Sequence, residues 1–257
     1  MKILSKLLII LLFTMNSFSY AGTRDPNTSD DKYVAYGNKY VHTVPISGKY
    51  VDGKAFSASA VIIDDHHVVT AAHIVNEAKN CFVIVNEKTF FLSKIVVHKN
   101  FNINRYGIAD IALGFSDNSF KLNFYPELYS KRDELDKLCS ISGYGFTGTF
   151  ITGAKIHDGK KRAGSNFIDA VDKDLLICSP SKKGENRYTS LEFLIASGDS
   201  GGGLFINAKL AGINSCVIAI GKKPISSYGE QSGHTRISKY IDWIEEIRQE
   251  NLLDLAE

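Results

Sequence analysis

The sequence predicts an all-β protein that ends in one α-helix, and three observations support this fold class. Most of the chain consists of short runs rich in β-branched and aromatic residues, each bounded by turn-forming residues. No window in the first 235 residues sustains a 3.6-residue apolar period, apart from a short piece at residues 71–78. Many short strands at close spacing favour barrels or a sandwich over alternating β-α-β units. A chain of 257 residues can form one large β domain or two packed lobes.

The predicted strands fall into two groups, and residues 121–136, which have a weaker strand signal, are expected to connect them. The clearest runs are Tyr40–Val44, Ala60–Ile63, Cys81–Val85, Phe90–Leu92, Ile95–Val97 and Ile111–Leu113 in the first group, and Leu138–Ser142, Thr149–Thr152, Leu175–Cys178, Gly203–Ile206 and Cys216–Ile220 in the second.

The last part of the chain predicts an amphipathic helix. Apolar residues from Tyr240 to Ile247 recur on one face, and Ser238 is a suitable N-cap. We therefore expect a helix over 238–248 that packs on the β body, followed by a tail over 249–257.

The N-terminus predicts export. Lys2 and Lys6 precede the apolar run Leu7–Phe13, and small residues follow, which is the pattern of a secretory signal cleaved between Ala21 and Gly22. An uncleaved anchor is the alternative, although the apolar run is too short for a spanning helix. The mature protein is expected to be secreted or periplasmic, with no stable membrane association.

The polar stretch 22–32 is expected to be a flexible lead-in or a propeptide, with the folded domain beginning at residue 33. The net charge is only +2 and no basic stripe is present, which argues against nucleic-acid binding. Metal-dependent hydrolysis is disfavoured because no H-E-x-x-H pattern occurs, and no cofactor is expected.

Four cysteines are present, and their even number in an exported chain permits disulfides with three possible pairings for two bridges. Their spacings exclude a C-x-x-C metal or redox motif, and free buried thiols remain an alternative. The four are Cys81, Cys139, Cys178 and Cys216.

A serine within a run of glycines is the first candidate for chemistry. Ser200 follows Asp199 in the segment Gly198–Gly203, where glycines allow a tight, strained loop that presents one side chain. Such a loop can also aim backbone N–H groups at an oxyanion. An ordinary glycine turn is the alternative if no base and acid accompany the serine.

His73 and Asp110 are the candidate base and acid. His73 ends an apolar strand where a short helical piece begins, and Asp110 stands at the start of an apolar run. A carboxylate buried there is costly unless it is paired, and a histidine N–H is a suitable partner. A structural histidine and an aspartate that caps a turn are the alternatives.

These residues lie in segments that resemble the three catalytic blocks of the chymotrypsin/trypsin-like serine proteases. The blocks are Thr70–His73, Asp110–Leu113 and Gly198–Gly202, in the family's order. The resemblance covers residues 33–248, and the chain is identified as an exported, bacterial-type member. Further segments that resemble the family are Val96–Asn102, Ile141–Gly145, Gly212–Ser215 and Thr235–Ile244.

The resemblance implies two six-stranded antiparallel β-barrels, at about 33–120 and 137–237, with the triad in the cleft between them. It implies a serine endopeptidase in which Ser200 attacks the carbonyl, His73 is the general base and Asp110 orients the imidazole. Protein or peptide substrates follow from this, and a proteinaceous inhibitor is a second class of partner. A non-catalytic or latent binding protein on the same fold is the alternative function.

The resemblance also implies that the N–H groups of Gly198 and Ser200 form the oxyanion hole. In the family, cleavage at Ile-Val-Gly-Gly frees an amine that pairs with the aspartate before the serine, here Asp199, and this chain lacks that tetrapeptide. The cation for Asp199 is therefore left open between the amine of Tyr33, the amine of Gly22, and an internal lysine or arginine.

Specificity is expected to differ from that of Arg/Lys-selective members, because Leu194 stands where they carry aspartate. By the resemblance, Ser215 supports the catalytic aspartate and the substrate-side strand, and Val217 narrows the pocket. We therefore expect small or medium apolar P1 residues. A rival interpretation has His234 pairing with an acidic P1 residue.

The family's cysteine pattern is not preserved. Ile74 and Ser57 stand at the two positions where the family has one pair of bonded cysteines. Cys139 matches a family cysteine, but the position of that cysteine's usual partner is occupied by Ile206. Any bridge in this chain therefore falls outside the family's disulfide map.

Overall fold

The computed structural model describes residues 22–104, 107–156, 158–221 and 223–254. The predicted signal segment, residues 1–21, lies outside this part of the chain. The strands are β1 (Thr23–Arg24), β2 (Thr43–Tyr50), β3 (Ala55–Ile62), β4 (His67–Thr70), β5 (Ala78–Val85), β6 (Lys88–Phe91), β7 (Lys94–Val97), β8 (Ala112–Phe115), β9 (Leu138–Gly143), β10 (Thr147–Thr149), β11 (Gly153–Ile156), β12 (Arg162–Phe167), β13 (Ala170–Asp172), β14 (Leu175–Cys178), β15 (Phe193–Leu194), β16 (Gly203–Ile206), β17 (Lys209–Ile218) and β18 (Gln231–Arg236). The helices are α1 (Asp30–Gly37), α2 (Ala72–Val75) and α3 (Ile241–Asp254), with a 3-10 turn at Ile237–Lys239.

Two curled antiparallel sheets and a C-terminal helix make up the fold, which confirms the predicted all-β class. The first sheet has the order β6-β5-β2-β3-β4-β8-β7 and the second has the order β12-β9-β16-β17-β18-β14-β13. Each sheet has seven strands instead of the expected six, and in each the two end strands are consecutive in the chain and only two residues apart, β6 and β7 in the first sheet and β12 and β13 in the second. A small third sheet has the order β11-β10-β1-β15.

The apolar interior is divided into three clusters. One fills the first sheet and another fills the second. The third lies between them, where Ile63 and Ile111 from the first lobe meet Phe205 and Ile213 from the second, and Ile244 of α3 closes the cluster. Because all five side chains are buried, this cluster holds the two sheets at a fixed distance and defines the cleft.

The expectation of a flexible segment over 22–32 is wrong. Strand β1 inserts between β10 and β15, and α1 begins at Asp30. Asp30 accepts two hydrogen bonds from Arg162, at 2.7 and 2.5 Å, and Tyr33 is fully buried in the core of the second sheet. The segment is polar by composition, but its partners lie more than a hundred residues away, so a local pattern gives no sign of this order.

The C-terminal helix also differs from its predicted bounds. Ser238 lies in the 3-10 turn and its hydroxyl donates to Glu134 at 2.7 Å, so it does not cap α3. The helix begins at Ile241 and continues to Asp254, which makes part of the expected 249–257 tail helical. Among the described residues, no helix is both long enough and apolar enough to cross a membrane.

Candidate active site

Strand pairing brings two distant blocks of the first lobe together. In the antiparallel pair β4–β8, Thr70 faces Ala112. His73 follows Thr70 by three residues and Asp110 precedes Ala112 by two, so both side chains emerge at the same end of this ladder. The α2 turn then aims the imidazole, and the His73 backbone N–H donates to Asp110 Oδ1 at 2.9 Å.

His73, Asp110 and Ser200 form one hydrogen-bonded chain. Nδ1 of His73 lies 2.8 Å from Asp110 Oδ2, and Nε2 lies 3.0 Å from Ser200 Oγ. The carboxylate is 4% exposed and the imidazole 27%, so the carboxylate is shielded from solvent while the imidazole remains accessible. This is the arrangement in which an imidazole can take a proton from a serine hydroxyl.

Asp110 is held in its ionised form despite its burial. Burial alone raises its pKa, but the hydrogen bond and charge of His73 outweigh this and, with the hydroxyl of Ser215, leave the pKa below its usual value. Ser215 Oγ donates to Asp110 Oδ2 at 2.5 Å. The structure thus places the Ser215 hydroxyl in contact with the Asp110 carboxylate.

The nucleophile loop, residues 195–202 between β15 and β16, presents two backbone donors. The carbonyl of Ser197 accepts from the Phe146 N–H at 2.7 Å. Since C=O and N–H point in opposite directions across a trans peptide, the Gly198 N–H points away from Phe146. Among the hydrogen bonds of the described residues, neither this N–H nor that of Ser200 has a protein acceptor. Both donors are thus available to an oxyanion.

Asp199 points away from the cleft into a fully buried pocket. Its Oδ2 accepts from the backbone N–H groups of Gly22 at 2.7 Å and Ala196 at 2.8 Å, and its Oδ1 accepts from Gly145 at 2.7 Å. Burial raises the pKa of Asp199 to about 7, although the hydrogen bonds from Ala196 and Gly22 and the charge of Arg162 act in the opposite direction.

Ser59 of β3 joins the first lobe to the nucleophile loop, and the sequence analysis missed it. Its hydroxyl donates to the Gly198 carbonyl at 3.0 Å and accepts from the Tyr144 N–H at 2.9 Å. Its backbone N–H donates to the Ser200 carbonyl at 2.9 Å. The sequence signal was weak, because Ser59 is one of two serines in β3 and its complete burial is apparent only in the structure.

The residues expected to set substrate specificity differ in how deeply they are buried. Leu194 is fully buried in β15, so its side chain offers no exposed pocket floor, while Val217 in β17 is only partly buried. His234 is fully buried: Nδ1 lies 2.8 Å from Asn214 Oδ1 and Nε2 lies 2.9 Å from Ser232 Oγ. With both ring nitrogens engaged, His234 cannot contact an acidic P1 residue directly, which contradicts the rival interpretation.

His234 instead takes part in a hydrogen-bond network behind the site. Burial lowers its pKa to about 3, so the imidazole is neutral. It orients the amide of Asn214, whose Nδ2 donates to the carbonyls of Ser142 at 3.0 Å and Asp199 at 3.1 Å. This network fixes the backbone that precedes Ser200.

A cavity of about 180 Å³ adjoins the imidazole on the first-lobe side. Phe101 and Ile103 contribute apolar surface to its lining, which also includes His73, Asp110 and Ser215. A small apolar side chain fits such a space. Within the described ranges, no group of three or more histidine, cysteine or acidic side chains is arranged to hold a metal.

Comparison with protein families matches residues 33–244 to the family described as Trypsin. The chain is 24% identical over 234 residues to the collagenase of Hypoderma lineatum, covering 83% of this chain and 85% of the relative. The structure of Hypoderma lineatum collagenase aligns with a TM-score of 0.66 at 18% identity over 82% of this chain and 94% of that chain. Neuropsin, a serine protease of mouse brain, aligns with a TM-score of 0.66 at 17% identity over 82% and 96%.

These relatives are eukaryotic, so they give no support to the bacterial-type expectation. The family match covers both lobes and all three blocks around the candidate triad. This chain belongs to the trypsin-like serine protease family.

Proposed function

We propose that the protein is a secreted serine endopeptidase that hydrolyses peptide bonds through an acyl-enzyme intermediate. The observation that carries this proposal is the continuous hydrogen-bonded chain from Asp110 through His73 to Ser200. A family member that serves only as a binding protein has no need to keep all three groups in hydrogen-bond contact.

In the proposed reaction, His73 Nε2 accepts the Ser200 hydroxyl proton as Oγ attacks the substrate carbonyl. The imidazolium that forms is stabilised by Asp110, whose lowered pKa keeps it ionised. His73 then donates the proton to the leaving amine, and water releases the acyl group by the same steps in reverse order.

The negative charge that develops on the carbonyl oxygen is assigned to the N–H groups of Gly198 and Ser200. Their orientation is supported by the hydrogen bond from Phe146 to the Ser197 carbonyl and by the contact of Ser59 with the Gly198 carbonyl. Preorganised donors of this kind contribute about 3–4 kcal/mol each to transition-state stabilisation.

A preference for small or medium apolar P1 residues is part of the proposal. Leu194 is fully buried and supplies no charge to the P1 pocket, and the partly exposed Val217 narrows the approach to that pocket. The cavity beside His73, with its Phe101 and Ile103 wall, favours an apolar residue at the position before P1. Proteinaceous inhibitors that present the same side chains would occupy the same cleft.

The proposal also includes a mature N-terminus at Gly22, produced by removal of the secretory signal. The Gly22 nitrogen already lies 2.7 Å from Asp199 Oδ2 in a buried position. Two buried cations of this region are engaged elsewhere: Arg162 with Asp30 and Asp158, and Lys161 with two backbone carbonyls. A free amine at Gly22 would give the buried carboxylate the positive partner that burial requires.

The nitrogen of Tyr33 is not available for this role. Tyr33 lies inside α1, and its ring packs in the core of the second sheet. Of the three cations left open by the sequence, the Gly22 amine is therefore the one that the contacts favour.

Labelling with a fluorophosphonate tests the proposed activity. The purified protein with Gly22 as its first residue is expected to form a covalent adduct at Ser200, and Ser200→Ala is expected to form none. His73→Ala should reduce the labelling rate by about 10⁴-fold or more, because the hydroxyl loses its base. If the native protein does not label in its Gly22 form, the active-enzyme proposal fails and a binding protein on this fold takes its place.

A further inference from the structure

Two buried cysteines of the second lobe lie next to each other. The Sγ atoms of Cys139 and Cys178 are 3.8 Å apart, and the two residues are 1% and 0% exposed. Cys81 lies in the core of the first sheet, and Cys216 follows Ser215 in β17. The fold therefore brings together one pair out of the pairings that the sequence allows.

The two cysteines belong to strands that are not neighbours in the sheet. Cys139 is in β9 and Cys178 is in β14, with β16, β17 and β18 between them in the strand order. Their thiols meet because the sheet curls and both side chains point into the same core cluster. A bond between them would tie the two ends of the curled sheet together across its interior.

The two sulfur atoms are close enough to form a covalent bond after a small movement. A disulfide has an S–S length of roughly 2.05 Å, so the sulfurs need to approach by about 1.8 Å. Rotation of the two side chains about χ1, with small strand movements, can supply such an approach. In the reduced form, the Cys139 thiol donates to the carbonyl of Asn166 at 3.2 Å, which is a weak bond to give up.

We propose that Cys139 and Cys178 form a disulfide during folding of the exported chain, and that this bond closes the second half-barrel. The oxidant is a thiol–disulfide oxidoreductase or a small disulfide of the exporting compartment. One thiolate attacks the oxidant's disulfide and releases one of its thiols. The second thiolate then attacks the mixed disulfide and displaces the oxidant's remaining thiol. The protein loses two protons and two electrons, and the oxidant's disulfide is reduced to two thiols.

The burial of both thiols determines whether the disulfide forms before or after the second lobe folds. In the folded lobe neither thiol is accessible to an oxidant, and burial raises the pKa of Cys178 well above its usual value, which suppresses the reactive thiolate. The bond therefore forms before the sheet curls shut and is protected from reductants afterwards. This inference rests on the export part of the proposed function and is independent of proteolytic activity.

Alkylation of the exported full chain tests the bond directly. The purified protein is denatured without reductant, treated with N-ethylmaleimide, and weighed by mass spectrometry. We expect adducts at Cys81 and Cys216 only, adducts at all four cysteines after reduction, and a cross-linked peptide that contains Cys139 and Cys178. Adducts at all four positions without reduction, or a cross-link of another pair, would overturn the proposal.

Thermal unfolding gives a second readout with matched variants. Wild-type protein that is reduced while unfolded and then refolded with reductant present is expected to show an unfolding midpoint about 5–10 °C below that of the oxidised protein, because the cross-link closes a loop of 39 residues. Cys139→Ala, Cys178→Ala and the double variant should lose this response, while Cys81→Ala, a buried cysteine of the other lobe, should keep it. A response that persists in the double variant contradicts the assignment. If a variant does not fold, the mass measurement on the wild type still shows whether the Cys139–Cys178 bond is present.

Discussion

The backbone nitrogen of Gly22 donates a 2.7 Å hydrogen bond to Oδ2 of Asp199, 177 residues further along the chain. Strand β1, which begins at the next residue, pairs with β15 and so fastens this N-terminal segment beside the nucleophile loop. The site has no room for a larger residue, because a Cβ atom at Gly22 would lie 2.1 Å from the Phe193 ring. Under the proposed cleavage before Gly22, this contact would link removal of the signal to the conformation of the loop that carries Ser200.

A chain with one extra residue before Gly22 is expected to be nearly inactive. In that form the Gly22 nitrogen is a neutral amide, and Asp199 is a buried carboxylate without a cation. We expect kcat/KM to fall by about 100-fold or more relative to the form that begins at Gly22. Peptide hydrolysis by the two forms, produced with defined N-termini, provides the measurement. Equal activity would show that Asp199 needs no amine.

The extended form should also lose stability as the pH rises. The pKa of Asp199 is raised from 3.8 to about 7, so between these values the folded state binds a proton that the unfolded state has released. The free energy of unfolding must therefore decrease with rising pH across this window. Urea unfolding at several pH values, with Asp199→Asn as the control that removes the titrating group, checks this sign. The Gly22 form should show a weaker dependence, because its amine stabilises the carboxylate.

Gly198→Ala should damage catalysis more than substrate binding. Gly198 has φ of 89°, a conformation that alanine adopts only with strain, so the peptide that carries one oxyanion donor is expected to turn away. We expect kcat to fall by about 100-fold with KM changed much less. Gly184→Ala is the matched control, since Gly184 has φ of 99° and no neighbouring atoms within 4 Å. Comparable kcat losses in both variants would refute a specific role.

Ser59→Ala should lower kcat by about 10-fold, because the Gly198 carbonyl and the Tyr144 N–H each lose a hydrogen-bond partner. The loop can then shift without breaking any contact of the triad itself. Ser93→Ala, which removes a serine hydrogen bond to Asp117 in the same lobe, is the control. Steady-state kinetics of both variants decide, and unchanged kcat in Ser59→Ala would assign this residue to stability alone.

Val217→Gly should widen the substrate pocket. Removing the branched side chain is expected to raise turnover after phenylalanine relative to alanine by about 10-fold, while Val217→Ile should shift the ratio the other way. A panel of fluorogenic peptides that differ only at P1 gives the measurement. If the native protein cleaves fastest after arginine or lysine, the prediction of an apolar P1 pocket is wrong.

Local sequence patterns were enough to predict the fold class and the candidate triad. Both depend on local patterns: the short apolar runs bounded by turn residues, and the blocks that contain His73, Asp110 and Ser200. Such patterns are readable because strand formation and a glycine-flanked serine loop are properties of neighbouring residues.

The contacts that those local patterns leave open became visible in the folded structure. The ordered place of Gly22 beside Asp199, the engagement of His234 by Asn214, the link from Ser59 to Gly198, and the 3.8 Å between Cys139 and Cys178 all join segments that are distant in sequence or depend on burial. From the sequence alone, residues 22–32 appeared flexible and His234 appeared free to bind a substrate. Sheet curling and lobe packing bring each of them partners that the sequence does not reveal. Long-range packing gives these residues their partners, and in this protein those partners surround the candidate nucleophile.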